Sequence, residues 1–533
     1  MNHNSISLGT TASRISFLAF LGALLGVVGG IAAFIVIHLV GLISNLALLH
    51  KVGFNLPNLD NYHPTIFLIP TAMLGGLIAA ILAIWAPVIK GHGIPESIEA
   101  ILLRQSKIPP KAALAKPISS AIVMGTGGPF GAEGPIIVTG GSIGSLLGQL
   151  LSVSPIERRI LLATGAAAGM AGVFNTPIAA IIIAFELLLF ERSLRSIVPL
   201  VLATSIASEI HVILIGPNPI FAMVQHLTIS PFQFLFFIIL GISVGFLALI
   251  LNKGLFLVEK IFSLLPVSEF WHPVIGAMGF GIVGMIVPGT LSVGYWAISD
   301  TINGKFLLTT AAILFVGKMI SWWIALGSNT SGGTLAPMFL IGSTMGYVLG
   351  VIIDKMFPFI HLPPTAFALA AMGATFGVGT RALLTGVVFS LEVTGAFGLV
   401  LPVSITTVIA ELVVERFLQE RIMTDKLFKR GYRVNFDTEI DPFKKYIVSQ
   451  VMEPAQGPLP LGPSIDPLSF LSEAVIFFSK SNMEKLPVVK EDTLVGWLSK
   501  GVLVDVIREK EKEDCIQIGI FSQWKTNRSL KKI

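Results

Sequence analysis

Gly127-Gly-Pro-Phe-Gly-Ala-Glu-Gly-Pro135 lies inside a stretch, residues 117–156, whose only Asp, Glu, Lys or Arg is Glu133. A single carboxylate wrapped in glycine and proline is out of keeping with such apolar surroundings, and those surroundings extend well beyond it. The chain has 533 residues, 53% hydrophobic and 13% charged, with a mean hydropathy of +0.82. Soluble domains carry about 25% charged residues. Residues 15–37, 65–89, 231–252 and 273–299 contain no Asp, Glu, Lys or Arg. Each is long enough to supply the ~20 apolar residues with which a helix crosses a ~30 Å hydrocarbon core. These blocks predict an all-α polytopic membrane protein whose first partner is the lipid bilayer. The block after Arg14 exceeds a signal-peptide core and no small-residue cleavage site follows it, so it reads as a retained span.

The net charge is +5, with basic residues gathered after the last apolar block in Lys426-Leu-Phe-Lys-Arg430 and Lys444-Lys445. The positive-inside rule places that end in the cytoplasm, and the expected location is the plasma (inner) membrane. No basic patch interleaved with aromatics accompanies this charge, which excludes nucleic acid as a partner. Cys515, the one cysteine, excludes an intrachain disulfide. Composition changes near Leu418 from apolar and glycine-rich to charged with short alternating segments. The domains are drawn as 1–430 in the membrane and 431–533 as a cytoplasmic tail.

An internal repeat organises the membrane part. When Gly131-Ala-Glu-Gly-Pro-Ile-Ile-Val-Thr-Gly140 is laid over Gly333-Thr-Leu-Ala-Pro-Met-Phe-Leu-Ile-Gly342, Gly131 meets Gly333, Pro135 meets Pro337 and Gly140 meets Gly342. Further on, Pro177-Ile-Ala-Ala-Ile-Ile-Ile-Ala-Phe-Glu186 overlays Leu383-Leu-Thr-Gly-Val-Val-Phe-Ser-Leu-Glu392. The uncharged run 319–353 is too long for one span and is interrupted by Ser331-Gly-Gly-Thr-Leu-Ala-Pro337. Broken helices fit, because irregular backbone at membrane depth survives only where protein or a cavity surrounds it. Duplicated halves interrupted at matching places point to a transport site near the midplane.

The glycine–proline segments have a chemistry. A helix start presents unpaired N–H groups and roughly +0.5 of an elementary charge. Proline suits the first turn, and glycine lets a ligand approach the backbone. Gly91-His-Gly-Ile-Pro95, Gly131-Ala-Glu-Gly-Pro135 and Gly333-Thr-Leu-Ala-Pro337 can each aim amides at an anion. A charged carboxylate at mid-membrane costs about 2.5–3.5 kcal/mol, so Glu133 is a functional candidate. It can fill the anion site itself, and when protonated it can leave the site to a mobile ion, acting as gate and proton carrier. No nucleophile, metal-ligand cluster such as H-E-x-x-H, or phosphate loop accompanies it, so neither an enzyme nor a metal is expected.

These segments resemble the ClC family of chloride channels and chloride/proton antiporters, over about residues 15–430. The family's G-S-G-I-P, G-R-E-G-P and G-x-F-x-P motifs appear as the three segments above. The resemblance implies a ClC-like inverted repeat, a homodimer with one path per subunit, and chloride as the transported ion. It also implies anion contacts from His92, Gly93, Ile94, Gly131, Gly134, Thr334, Leu335 and Met423. Departures are informative. His92 stands where the family has a serine, Ala132 replaces an arginine, Leu335 a phenylalanine and Met423 a tyrosine. Antiporters of the family end the Pro177-led helix in Glu-Glu and load protons through the second. Here the pair is Glu186-Leu187, which favours channel-like or loosely coupled passage, with proton-coupled antiport as the alternative and Glu186 as a structural partner more than a relay. Residues 446–509 resemble one CBS module, a small α/β unit. The family's ribose-binding aspartate would fall at Val502, which speaks against an adenine nucleotide and for a dimer-bracing role.

Overall fold

The computed structural model describes residues 11–418 except 92, 152, 190–192 and 226, then 421–422, 443, 446, 448–455, 462–469, 471–480, 483–490 and 493–506. The chain divides into two compact units, one within residues 1–426 and one within 427–533.

The first unit is helical throughout. Its first half runs α1 (Thr11–Leu49), α2 (Leu68–Trp85), α3 (Ile94–Leu103), α4 (Lys111–Gly125), α5 (Glu133–Leu150), α6 (Pro155–Phe174), α7 (Pro177–Ile183) and α8 (Leu194–Leu214). After the short α9 (Pro231–Phe234), the second half repeats the order. It comprises α10 (Phe236–Leu264), α11 (His272–Ile286), α12 (Tyr295–Ile302), α13 (Leu308–Gly327), α14 (Leu335–Met356), α15 (Pro364–Thr380), α16 (Leu383–Glu392) and α17 (Val400–Phe417). Eight helical stretches among the described residues are long and apolar enough to cross a membrane. Large apolar side chains point outward from them, as Phe20, Ile35 and Leu412 do. That is costly in water and favourable in lipid.

Block 15–37 falls within α1 and block 231–252 within α9–α10, while block 65–89 contains α2 and the 3-10 turn after it. The fourth, 273–299, is not one span. Helix α11 stops at Ile286, a 3-10 turn covers Pro288–Thr290, and Gly294 (φ +73°) starts α12. Proline 288 ends the helix because the residue before it is pushed out of the helical region. The same device ends α2, where the 3-10 turn Pro87–Ile89 precedes α3. The run 319–353 likewise breaks into α13 and α14, as its Ser-Gly-Gly interruption predicts.

The two halves are inverted, and their meeting point shows it. Gly131 and Gly333 pair as an antiparallel bridge, each N–H donating to the other's carbonyl at 3.0 Å. Beside this bridge α5 packs on α6 through bare glycine. A Cβ on Gly140 would lie 2.1 Å from the Gly165 carbonyl oxygen, and one on Gly165 would lie 2.2 Å from that of Gly140. The equivalent contact of α14 on α15 uses Gly342 and Gly346, against the backbone oxygens of Ala371 and Phe367. Small residues let backbones approach where lipid offers no hydrophobic drive for helix association.

In the second unit β1 (Glu453–Pro454), β2 (Lys485–Lys490) and β3 (Thr493–Ser499) form an antiparallel sheet in the order β1-β3-β2. Leu486, Val488 and Leu498 of the sheet pack with Leu471, Ala474 and Phe478 of α19 (Leu471–Lys480). Val448 of α18 (Val448–Val451) joins them, and Val502 lies against the same core.

Gly165→Ala should lower the thermal midpoint of the detergent-purified protein clearly, since overpacking costs about 1–3 kcal/mol. Gly281→Ala is the control: its added Cβ would sit 3.4 Å from the nearest atom, and its midpoint should stay within about a degree of the parent's, as for changes that meet no clash.

Candidate functional site

The start of α14 is the centre of the site. Glu133 is 1% exposed, and its Oε1 accepts a hydrogen bond from the Leu335 N–H at 2.5 Å. In the repeat Leu335 is the position equivalent to Glu133, so the side chain of one half is held by the backbone of its own counterpart. With the carboxylate in this place, the bridge has no room for a side chain. A Cβ on Gly131 would lie 2.0 Å from Glu133 Oε2, and one on Gly333 would lie 2.3 Å from Oε1. Neighbouring residues are buried too: Ala132, Gly134, Pro135, Thr334 and Ala336 are all screened from solvent. A carboxylate in this position faces the unpaired end of a helix, where backbone dipoles favour negative charge.

Helix α3 comes close from the side. Gly93 has φ +96°, a conformation suited to glycine, and its absent side chain would meet the Gly134 carbonyl at 2.7 Å. Its N–H is already used: it donates to Glu96 Oε2 at 2.8 Å. The reciprocal bond of a glutamate three residues into a helix satisfies one of the amides expected to face an anion. Ile94 opens α3 and is buried. Gly91, whose carbonyl accepts from Gly332 N–H at 3.4 Å, ties this segment to the turn before α14. Two residues of the expected set, His92 and Met423, lie outside the described residues.

Two fully buried lysines, which the sequence reading did not single out, hold these turns. Lys116 donates to the carbonyls of Ile89 and Gly91 at 2.8 and 2.5 Å. Lys318, its repeat equivalent, donates to those of Thr290 and Ser292 at 2.9 and 3.3 Å. Each ammonium thus grips the tight turn that launches α3 or α12, and Lys318 is near enough to act electrostatically on Glu133. A lone lysine within an apolar helix was the signal available, since an intramembrane charge needs such partners.

Glu186 lies apart from Glu133's contacts, in the π-turn Ala184–Leu189 that extends α7. Both its oxygens are engaged by the start of α16. Oε1 accepts from Leu384 N–H at 2.9 Å, and Oε2 from Thr385 N–H at 2.9 Å and Thr385 Oγ1–H at 2.6 Å. Glu392 returns the contact, accepting from Ile178 and Ala179 N–H of α7 at 3.0 and 2.8 Å. Each half therefore caps a helix of the other. Leu187 beside it is completely buried.

An inverted repeat of broken helices, with a carboxylate held at a helix start on the axis between the halves, defines a membrane transport protein. The chain belongs to the voltage gated chloride channel family, which it matches over residues 71–415. It is similar to the H(+)/Cl(-) exchange transporter ClcA of Vibrio campbellii, 28% identical over 425 residues that cover 77% of this chain and 88% of that protein. The protein of the same name from Vibrio vulnificus is 29% identical over 452 residues, covering 79% and 93%. Among solved structures, a slow cyanobacterial Cl-/H+ antiporter superposes with a TM-score of 0.67 at 26% identity, covering 78% of this chain and 97% of that one. A CLC-type fluoride/proton antiporter at 21% identity shares the fold, with a TM-score of 0.64 and coverage of 77% and 98%. These names describe transporters and not enzymes.

Glu186→Ala should lower the thermal midpoint by an amount equivalent to about 1–2 kcal/mol, the scale of a lost helix cap. Glu392→Ala should do the same, and a midpoint unchanged in both variants would show that the crossed caps contribute nothing.

Proposed function

We propose that this protein passes small anions, chloride first among them, along a path gated by Glu133. The observation that carries the reading is the Glu133 carboxylate resting on the Leu335 amide. A diffusing anion would be held by that same amide, so ion and side chain compete for one place. Protonation removes the charge that fastens the side chain there and frees the amide. With Ala132 in place of a cation, the ion is held by dipoles, by the more distant Lys318 and by nothing stronger, which keeps release easy. His92 and Met423 complete the proposed path by position in the sequence. The unit of function is taken to be a homodimer with one path per subunit.

Leu187 and the engagement of both Glu186 oxygens support channel-like or loosely coupled passage, because this pair offers no free carboxylate to load protons. The names of the Vibrio relatives and of the cyanobacterial antiporter favour a second reading, chloride/proton exchange. In it Glu133 carries the proton, and water or His92 does the work of the missing inner carboxylate.

Chloride flux from liposomes, recorded with proton movement, tests both. Flux through the parent should rise as pH falls, because acid neutralises the gate. Glu133→Gln fixes the neutral form, so its flux should be independent of pH and near the parent's acid limit. A parent-like pH dependence in that variant would overturn the gate. Reversal potentials under a pH gradient separate the readings: a shift indicates exchange, and none indicates a channel.

A further inference from the structure

Tyr295 opens α12 directly after Gly294, and its ring is wedged between aromatic neighbours. The Phe174 centroid lies 6.0 Å away at 52°, and that of Phe221 lies 5.2 Å away at 79°. Such packing fixes where the phenol points. Its Oη is buried, and the O–H finds no acceptor among the described residues. It lies against the Ala132 backbone amide and within electrostatic reach of Glu133. Glu133 Oε2, the carboxylate oxygen that Leu335 does not bind, is likewise buried without a partner. A buried donor and a buried acceptor are thus both left open in one neighbourhood, at the very place where a charge is exchanged. Buried polar groups are seldom left so, and an ion or water between them is one of the arrangements that satisfies such a pair.

The surroundings of Tyr295 lead outward. Tyr295 and Trp296 line a cavity of about 140 Å³ under the segment Leu56–Leu59 that joins α1 to α2, with Ser292 at its side. Trp296 Nε1–H is also buried and has no partner among the described residues. Two neutral donors, the Tyr295 hydroxyl and the Trp296 indole N–H, thus stand beside this cavity, and position 132 carries no side-chain cation.

We propose that Tyr295 coordinates the transported anion, its Oη–H donating to the ion that takes the place of the Glu133 carboxylate. This rests on the gate reading above. The phenol supplies the side-chain donor that Ala132 lacks, from a ring that borders the cavity on one side and lies within reach of Glu133 on the other. It carries no charge, so it adds selectivity without trapping the ion. No bond is made or broken beyond the hydrogen bond.

The test is chloride binding by titration calorimetry in detergent, comparing Glu133→Gln with the double variant Glu133→Gln/Tyr295→Phe. Phenylalanine keeps the ring between Phe174 and Phe221 and removes only the hydroxyl. Chloride should bind the double variant about tenfold more weakly, equivalent to about 1.4 kcal/mol. Equal affinity in the two variants would overturn the role of Tyr295 and leave the gate standing. If Glu133→Gln instead binds and passes chloride as the parent does at every pH, the gate falls and this proposal with it. A double variant that is not monodisperse would make the hydroxyl structural, and that too overturns the proposal.

Discussion

The hydrogen bond from the Leu335 amide to Glu133 is the contact around which the membrane unit is arranged. A buried carboxylate must find donors or forgo its charge. Here the donor is the first free amide of a helix, so α14 has to begin where the side chain of α5 ends. That requirement goes with the antiparallel Gly131–Gly333 bridge, where a Cβ on either glycine would run into the seated carboxylate. The turns feeding α3 and α12 are in turn held by Lys116 and Lys318. Charged groups in the interior serve backbone geometry, and backbone geometry serves one carboxylate.

The repeat explains the architecture, and its violations explain the site. Lys116 and Lys318 match, as do Glu186 and Glu392, and these matched residues are structural. Glu133 and Leu335 do not match. One position offers a carboxylate and the other offers only its N–H, so the axis between the halves carries a donor–acceptor pair in place of two repelling acids. Tyr295 is a further unmatched feature. It begins α12, while the corresponding position at the start of α3 is an apolar residue.

Much of this was legible in advance, for identifiable reasons. Low charge and long apolar blocks announced the membrane. Glycine and proline at matched places announced broken helices, and Glu133 stood out as the one charge in its stretch. Block 273–299 was misjudged because hydropathy does not register a proline-terminated helix followed by a glycine-started one. The Gly93 amide was expected to face an anion although Glu96, three residues into α3, signalled that it would be taken. The buried lysines, the crossed glutamate caps and Tyr295 depend on partners distant in the chain. Their roles emerge only when turn carbonyls and helix starts are brought together in space.

The crossed caps bear on how such a chain is made. Ile178 N–H obtains its partner from Glu392, 214 residues further on, while Glu186 waits for Leu384 and Thr385 of the other half. During synthesis the first half therefore enters the bilayer with the start of α7 still unsealed, and maturation of both halves is a late, mutual event. A chain that ends before α16 would leave the Ile178 and Ala179 amides without these partners.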